Sequence, residues 1–200
     1  MFIALEGVDG SGKTTQAARL AEALGEETLL VREPGGTVAG ERIRELLKDG
    51  EVRLDPMAEL LLFLAARAQL VAEVIRPAME AGRDVVCDRF SDSSVAYQGS
   101  ARGLGAERVE ELCDLATGGL WPGLTVLLRI HPELAAERMD AQGRTADRFE
   151  GEGMELQRRV AEGYEEVASL HPERVRVVDA SVDPDRVHLA VMAAVAAVRA

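Results

Sequence analysis

The sequence predicts an α/β fold: a five-stranded parallel sheet with helices on both faces. Short apolar runs alternate with longer amphipathic stretches along the chain, as strands and helices do in this class. The runs are largely apolar, which is typical of strands covered on both faces. The chain has 200 residues and is 47% hydrophobic, enough for one core and too short for a second independent domain.

Five apolar runs are predicted as strands, and turn residues or helix starts follow them. The first run leads directly into glycines and then into an amphipathic stretch, the pattern of strand, loop and helix. Ligands are expected at the carboxyl ends of these strands. The predicted strands are Phe2 to Glu6, Thr28 to Arg32, Asp84 to Asp88, Thr125 to Ile130 and Arg174 to Asp179.

Capping residues place several of the helices. Thr37 is a good N-cap after a Pro-Gly-Gly turn, Asp55 and Pro56 open the next helix, and Gly82 stops it. The predicted helices are Lys13 to Leu24, Val38 to Lys48, Asp55 to Ala81, Ser91 to Gly99, Gly105 to Thr117, His131 to about Met139, Met154 to Leu170 and Asp183 to Arg199.

The chain is predicted to form a single domain over residues 1–200 with a mobile lid at about residues 140–153. No internal repeat, linker or low-complexity tract divides the sequence. The lid segment is polar, charged and contains glycine, a composition typical of mobile surface loops that carry function.

Composition argues against several classes of protein. The formal net charge is −12, whereas a nucleic-acid binder usually shows a basic face. The two cysteines form no framework, so a reducing cytoplasm is expected. The N-terminus does not resemble a signal peptide. No apolar run approaches the roughly 20 residues that a membrane span needs. No histidine spacing suggests a zinc site.

A glycine-rich loop joins the first strand to the first helix. It reads Gly-Val-Asp-Gly-Ser-Gly-Lys-Thr and matches GxxxxGK[ST], in which backbone N–H groups and a helix N-terminus cradle phosphates. Lys13 should reach the β- and γ-phosphates, and Thr14 should bind Mg²⁺. A glycine-rich turn without a ligand is the weaker alternative. The predicted ATP-binding residues are Gly7, Val8, Asp9, Gly10, Ser11, Gly12, Lys13, Thr14 and Thr15.

Asp88 and Arg89 end the third predicted strand. Asp88 is placed to organise Mg²⁺, directly or through water, and Arg89 to clamp a second phosphate. A helix N-cap and a surface salt bridge are the respective alternatives. The sequence therefore predicts a P-loop NTPase-type fold that transfers a phosphoryl group.

The whole chain resembles thymidylate kinases. Besides the glycine-rich loop and Asp88-Arg89-Phe90, the resemblance rests on segments 32–37 (Arg-Glu-Pro-Gly-Gly-Thr), 63–67 (Phe-Leu-Ala-Ala-Arg), 96–99 (Ala-Tyr-Gln-Gly) and 147–150 (Asp-Arg-Phe-Glu). It implies transfer of the γ-phosphoryl group of ATP to dTMP, giving dTDP and ADP. It also implies a homodimer, which suits the apolar helix from Asp55 to Ala81.

The resemblance also implies roles in binding dTMP. Arg44 and Arg89 would hold its phosphate, Phe63 would stack on thymine, Arg67 and Gln98 would read the base edge, and Tyr97 would pack beside the sugar. Core or solvated roles are the alternatives for each. The implied dTMP-binding residues are Asp9, Glu33, Arg44, Phe63, Arg67, Arg89, Ser93, Tyr97 and Gln98.

The resemblance further implies where catalytic charge comes from. Some thymidylate kinases carry a basic residue after the loop aspartate, but this chain has Gly10 there, as in a bacterial-type subgroup that uses lid arginines. The implied catalytic residues are Asp9, Lys13, Arg89, Arg144 and Arg148. Arg138 would lie along adenine, with Ala180-Ser181-Val182 forming the other wall, although an arginine at a helix C-terminus also suits the helix dipole. Glu150 would contact the nucleotide or a lid arginine.

Three other functions compete with this interpretation. Another nucleotide kinase would share the phosphate loop, and only the residues implied at the base argue for thymine. A GTP-binding switch usually reads guanine with an Asn-Lys-x-Asp segment, and this chain contains no asparagine. An ATP-driven assembly factor would hydrolyse ATP without an acceptor.

Overall fold

A computed structural model of the chain describes residues 1–141 and 153–199 and contains the predicted parallel sheet. Its strands are β1 (Phe2–Glu6), β2 (Leu29–Arg32), β3 (Val85–Asp88), β4 (Leu124–Arg129) and β5 (Val175–Asp179). Their order is β2-β3-β1-β4-β5, and neighbouring strands are parallel. The predicted α/β class is confirmed, and each strand bound lies within one residue of its predicted position.

Helices cover both faces of the sheet. They are α1 (Lys13–Leu24), α2 (Val38–Lys48), α3 (Pro56–Leu70), α4 (Arg76–Glu80), α5 (Ser91–Ser94), α6 (Ala106–Thr117), α7 (Pro132–Ala141), α8 (Met154–Leu170) and α9 (Pro184–Arg199). Thr37 caps α2 by accepting the Gly40 N–H, and Asp55 caps α3 by accepting the Met57 N–H, as predicted.

Two π-helical turns interrupt segments that the sequence predicted as plain helices. Val71–Ile75 joins α3 to α4, so the predicted helix from Asp55 to Ala81 is continuous but contains a wider turn. Val95–Ala101 extends α5 beyond Ser94. Such turns are rare and often mark functional sites, because they re-aim neighbouring side chains.

Strand β1 lies at the centre of the core and is buried along its whole length. Ile3 and Leu5 pack into a large cluster that includes residues of α1, α6, α8 and α9. Phe2 and Ala4 face the opposite way, into a smaller cluster with residues of α3, the first π turn and β3. The alternation of side chains along one strand therefore supplies both layers of the core.

Within residues 1–141 and 153–199, no helix combines the length and the hydropathy that crossing a bilayer requires.

Candidate active site

A cavity of about 390 Å³ opens at the carboxyl ends of β1, β2 and β3. These ends are level, since Leu5 of β1 and Arg32 of β2 both align with Asp88 of β3. Most of the predicted site residues line the cavity, and Arg32, Lys48 and Ser94 join them without having been predicted. The lining residues are Asp9, Gly10, Gly12, Lys13, Thr14, Thr15, Arg32, Glu33, Arg44, Lys48, Phe63, Asp88, Arg89, Ser93, Ser94, Tyr97 and Gln98.

The glycine-rich loop wraps tightly enough to hold its own lysine. Lys13 is buried, and its Nζ donates to the Val8 carbonyl at 2.7 Å. Burial lowers the pKa of Lys13, and the nearby charge of Arg89 lowers it further. Nearby carboxylates offset part of this fall, and the resulting pKa of Lys13 is about 8. The ammonium thus stays charged at neutral pH, ready for an incoming anion. Gly7, Val8 and Ser11 belong to this loop but do not line the cavity.

Gly10 occupies a position that no larger residue fits. Its φ is +79°, and a Cβ there would lie 2.3 Å from the Ala135 carbonyl oxygen of α7. The backbone of α7 therefore closes the position after Asp9 to any side chain.

Thr14 and Asp88 meet at the phosphate end of the cavity. The Thr14 hydroxyl donates to Asp88 Oδ2 at 2.5 Å. A hydroxyl and a carboxylate are the hard oxygen ligands that Mg²⁺ prefers, and Mg²⁺ usually takes one or two protein ligands beside phosphates and water. The pair fits such a role. In the described part of the chain, no three His, Cys, Asp or Glu side chains gather as metal ligands.

Arg89 makes hydrogen bonds to several residues of the site. Its backbone has a φ of 70°, a left-handed conformation that costs a non-glycine residue about 1–3 kcal/mol. Its guanidinium donates to the Gly7 carbonyl at 3.0 Å, to Ser93 Oγ at 3.1 Å and to Asp9 Oδ1 at 2.5 Å. The surrounding hydrogen bonds thus hold a strained residue in one orientation.

Asp9 is ionised by its partners despite being largely buried. Burial raises its pKa, but Arg89, Lys13 and a hydrogen bond from the Tyr97 hydroxyl lower it more, to about 2. The carboxylate is consequently a permanent acceptor at neutral pH.

A fully buried carboxylate beneath the site was not predicted. Glu6, at the end of β1, accepts from the Phe90 N–H at 2.7 Å, the Ser93 hydroxyl at 2.6 Å and the Tyr164 hydroxyl at 2.9 Å. Tyr164 also accepts from Arg89 Nη1 at 3.0 Å. Burial raises the pKa of Glu6, and Asp92 raises it further. This network ties helix α8 to Arg89.

Basic side chains of β2 and α2 line the cavity opposite the glycine-rich loop. Arg44 donates to the Pro34 carbonyl at 2.8 Å, and Arg32 makes a two-pronged contact with Glu41. Lys48 lies on the same helix as Arg44 and lines the same cavity. With Arg89, these residues add further cations to the cavity besides Lys13.

The cavity is also lined by Phe63, Ser94, Tyr97 and Gln98. Tyr97 and Gln98 are adjacent in sequence, and an α-helix would point them about 100° apart. Both lie in the π-helical turn Val95–Ala101, and both line the cavity. The π-helical turn thus contributes both an aromatic ring and an amide to the cavity lining.

Arg67 does not lie where the sequence interpretation put it. The side chain is 1% exposed and does not line the cavity. It donates to Glu33 Oε2 at 2.7 Å, the Phe90 carbonyl at 3.1 Å and Ser94 Oγ at 3.1 Å. The spacing from Phe63 indicated a shared helix face correctly, but the guanidinium neutralises a buried carboxylate instead of ending in the cavity.

Glu33 is buried and still borders the cavity. Oε2 accepts from Arg67, whereas Oε1 has no hydrogen-bond partner among the described residues. Burial raises the pKa of this carboxyl, and Arg67 counters part of that rise. A buried acceptor of this kind is costly unless a ligand or water satisfies it.

Arg138 lies outside the cavity, near the wall that was predicted to accompany it. Its guanidinium donates to the Ala180 carbonyl at 2.7 Å and the Ser181 carbonyl at 3.0 Å. The two parts of the predicted adenine site therefore touch each other directly. The predicted lid residues Arg144, Arg148 and Glu150 lie outside the described residues.

The chain is similar to known proteins along nearly its whole length. A family model described as thymidylate kinase matches residues 5–191. A thymidylate kinase from Deinococcus radiodurans is 46% identical over 198 residues, covering 98% of this chain and 96% of that protein. One from Pelotomaculum thermopropionicum is 51% identical, with 96% and 91% covered. The crystal structure of the thymidylate kinase from Ehrlichia chaffeensis has a TM-score of 0.80 and 35% identity, covering 98% of both chains.

Proposed function

The chain belongs to the thymidylate kinase family and phosphorylates dTMP to dTDP with ATP, and we propose that the cavity described above is where this transfer takes place. One observation carries the proposal. The glycine-rich loop, an aromatic and amide surface and a second group of cations line one and the same cavity. A donor triphosphate and an acceptor monophosphate need that arrangement.

ATP binds with its phosphates in the glycine-rich loop, where backbone N–H groups and Lys13 neutralise them. Thr14 and Asp88 would hold Mg²⁺, which would neutralise part of the negative charge of the triphosphate. Arg138 and the Ala180–Ser181 segment form the adenine site. In that role Arg138 exchanges its bond to one of the two carbonyls for contact with the base.

The acceptor dTMP binds with its phosphate on Arg44 and Arg89 and its base against Phe63. Tyr97 packs beside the deoxyribose, and Gln98 reads the imide edge. Arg67 does not contact the nucleotide but positions two lining residues, Ser94 and Glu33, by donating hydrogen bonds to them. The Oε1 atom of Glu33 then accepts a hydrogen bond from the bound nucleotide, which supports placing dTMP here because that buried oxygen otherwise has no partner among the described residues.

Catalysis in this chain consists of alignment and charge neutralisation, as phosphoryl transfer requires. Arg89 is fixed between Asp9 and Tyr164, so its charge is oriented before substrate arrives. Asp9 accepts a hydrogen bond from the 3′-hydroxyl of dTMP while its other contact holds Arg89. Arg144 and Arg148 complete the charge on the transferring group from the lid at about residues 140–153.

A panel of nucleoside monophosphates with ATP tests the substrate assignment. We expect kcat/KM for dTMP to exceed that for dCMP or dUMP. If dTMP were no better than these, the base-binding residues would be wrongly assigned. ATP hydrolysis without any acceptor, at the rate seen with dTMP, would favour the assembly-factor alternative.

Arg89→Ala tests the division between the two nucleotide sites. We expect it to cripple the use of dTMP while ATP binding stays nearly intact, because the side chain serves the acceptor phosphate. Lys13→Ala is the matched comparison, since it should weaken ATP binding first. Equal loss of both nucleotides in Arg89→Ala would undo the division of roles.

A homodimer in the cytoplasm, acting as a single domain per chain, completes the proposal. The outer face of α3 supports the dimer, since Leu61 is 53% exposed there and exposed alanines lie one turn away on each side, at positions 58 and 65. Leu61→Glu should shift the molecular mass measured by light scattering from dimer to monomer. A dimer that persists in this variant would place the interface elsewhere. The acidic surface argues against nucleic acid as a partner.

A further inference from the structure

A buried ion pair contacts the side-chain amide of Gln98, which lines the cavity. Glu59 of α3 is 1% exposed, and both its oxygens accept from Arg102, at 3.0 Å from Nε and 3.0 Å from Nη2. Glu59 Oε1 also accepts from Gln98 Nε2 at 2.8 Å. The mechanism given above does not use this pair.

The contact decides which way the amide of Gln98 faces. A carboxylate whose two oxygens accept from a guanidinium has no proton to give, so it cannot donate to an amide oxygen. The amide nitrogen must therefore point to Glu59. Gln98 is 2% exposed and packed in the π-helical turn, so exchanging its oxygen and nitrogen would put two acceptors face to face in a buried site.

We propose that the Glu59–Arg102 pair sets the base specificity of the kinase by fixing Gln98 so that its carbonyl oxygen is presented to the nucleobase. This inference rests on the proposed role of Gln98 at the base. Thymine carries an N–H at position 3, which a carbonyl oxygen accepts. Cytosine carries a bare acceptor at position 3, which the fixed carbonyl opposes. Glu59 is thus a positioning residue that acts through Gln98.

The isosteric variant Glu59→Gln tests the proposal. An amide at position 59 can donate as well as accept, so both orientations of Gln98 become available. We expect the ratio of kcat/KM for dTMP to that for dCMP to fall by at least about tenfold, the scale of losing one well-placed hydrogen-bond discrimination. The ratio for dTMP over dUMP should stay within about twofold, because both bases carry the same N–H at position 3.

Asp92→Asn is the matched control. Asp92 is also 1% exposed, and it accepts from Nη1 and Nη2 of Arg174 and from the Thr125 hydroxyl. Unlike Gln98, Asp92 is not among the residues that line the cavity. A general loss of packing lowers the rates with dTMP and dCMP together in either variant. Only loss of amide orientation changes their ratio.

Each outcome has one meaning. Wild-type enzyme that uses dCMP as well as dTMP overturns the role of Gln98 at the base, before Glu59 is in question. Wild-type enzyme that discriminates, together with a folded Glu59→Gln variant that discriminates equally well, overturns the role of Glu59 alone.

A measurement on the wild-type protein decides the matter if Glu59→Gln does not fold. The chain has five glutamines, so labelling them with ¹⁵N gives five side-chain amide pairs, and the Gln98 pair is the one absent from Gln98→Leu. We expect that pair to exchange slowly with water, with one proton shifted downfield by Glu59. A Gln98 pair with the shifts and exchange rate of an exposed glutamine contradicts a fixed amide.

Discussion

Removing the hydroxyl of Tyr164 should weaken the use of dTMP although this residue does not line the cavity. The hydroxyl donates to Glu6 Oε2 at 2.9 Å and accepts from Arg89 Nη1 at 3.0 Å. Tyr164→Phe keeps the ring, which is 2% exposed, and deletes both contacts. Helix α8 would then no longer hold the Arg89 guanidinium, which we propose binds the acceptor phosphate.

The magnitude follows from what remains after the change. Hydrogen bonds to charged groups contribute about 1.5–3 kcal/mol each. Glu6 keeps its bonds from Phe90 and Ser93, and Arg89 keeps those to Gly7 and Asp9, so the loss is partial. We expect about 2 kcal/mol of stability to be lost, which for a chain of this length lowers Tm by roughly 4–8 °C.

The kinetic signature separates positioning from simple destabilisation. We expect kcat/KM for dTMP to fall about tenfold, equivalent to about 1.4 kcal/mol, while KM for ATP changes by less than about twofold. Thermal unfolding and initial rates measure the two effects. Glu165→Gln is the control on the same helix, because the Arg129–Glu165 pair is half exposed and worth about 0–1 kcal/mol. An unchanged Tm, or equal losses for both nucleotides, would refute the coupling.

Three further changes test other parts of the structure. Gly10→Ala should lose at least about 2 kcal/mol in urea unfolding, because it combines a positive φ with a clash on the Ala135 carbonyl; an unchanged midpoint would contradict this. The value of kcat/KM for ATP should fall as pH rises through about 8, where free Lys13 loses its proton and its attraction for phosphate; a profile flat to about pH 10 would show that Lys13 keeps it. Arg174→Met should cost about 3–5 kcal/mol, since it leaves buried Asp92 without its cation, and a loss below about 1 kcal/mol in thermal unfolding would show that Asp92 is neutralised otherwise.

The regular elements were predictable because each carried a local signal. Thr37, Asp55 and Gly82 are capping or stop residues whose effect depends on the neighbouring backbone alone. The glycine-rich loop was predictable for the same reason, since the GxxxxGK[ST] pattern is local and specifies both the shape of the loop and the strand and helix on either side of it. The predicted transfer from ATP to dTMP is confirmed through the family to which these motifs belong.

The two π-helical turns could not be predicted from periodicity. Their apolar residues fit an α-helical pattern almost as well, and the wider turn forms because packing outside the segment holds it. One of these turns brings Tyr97 and Gln98 to the same surface. The sequence therefore indicated two residues that line the cavity but not the π-helical backbone that carries them.

Long-range polar contacts were the least predictable part of the site. Glu6 looked like the last residue of a strand, and Tyr164 like one of several large residues on an amphipathic helix. Their hydrogen bond joins positions 158 residues apart. Arg67 was misplaced for the same reason, since nothing near it in sequence showed that Glu33 would be buried beside it. The only sequence signals for these contacts were an acid, Glu6, at the end of an apolar strand and an arginine, Arg67, on an apolar helix.

The contact between Gly10 and helix α7 also has an evolutionary consequence. Because the Ala135 carbonyl fills the space where a side chain would begin, an arginine at position 10 requires a displaced α7 as well. The same helix ends at Ala141, where the chain enters the arginine-bearing segment. If lid arginines supply the catalytic charge, as we propose, one substitution at position 10 cannot replace them, because the new side chain would clash with α7. The path of α7 therefore decides whether position 10 can carry a side chain.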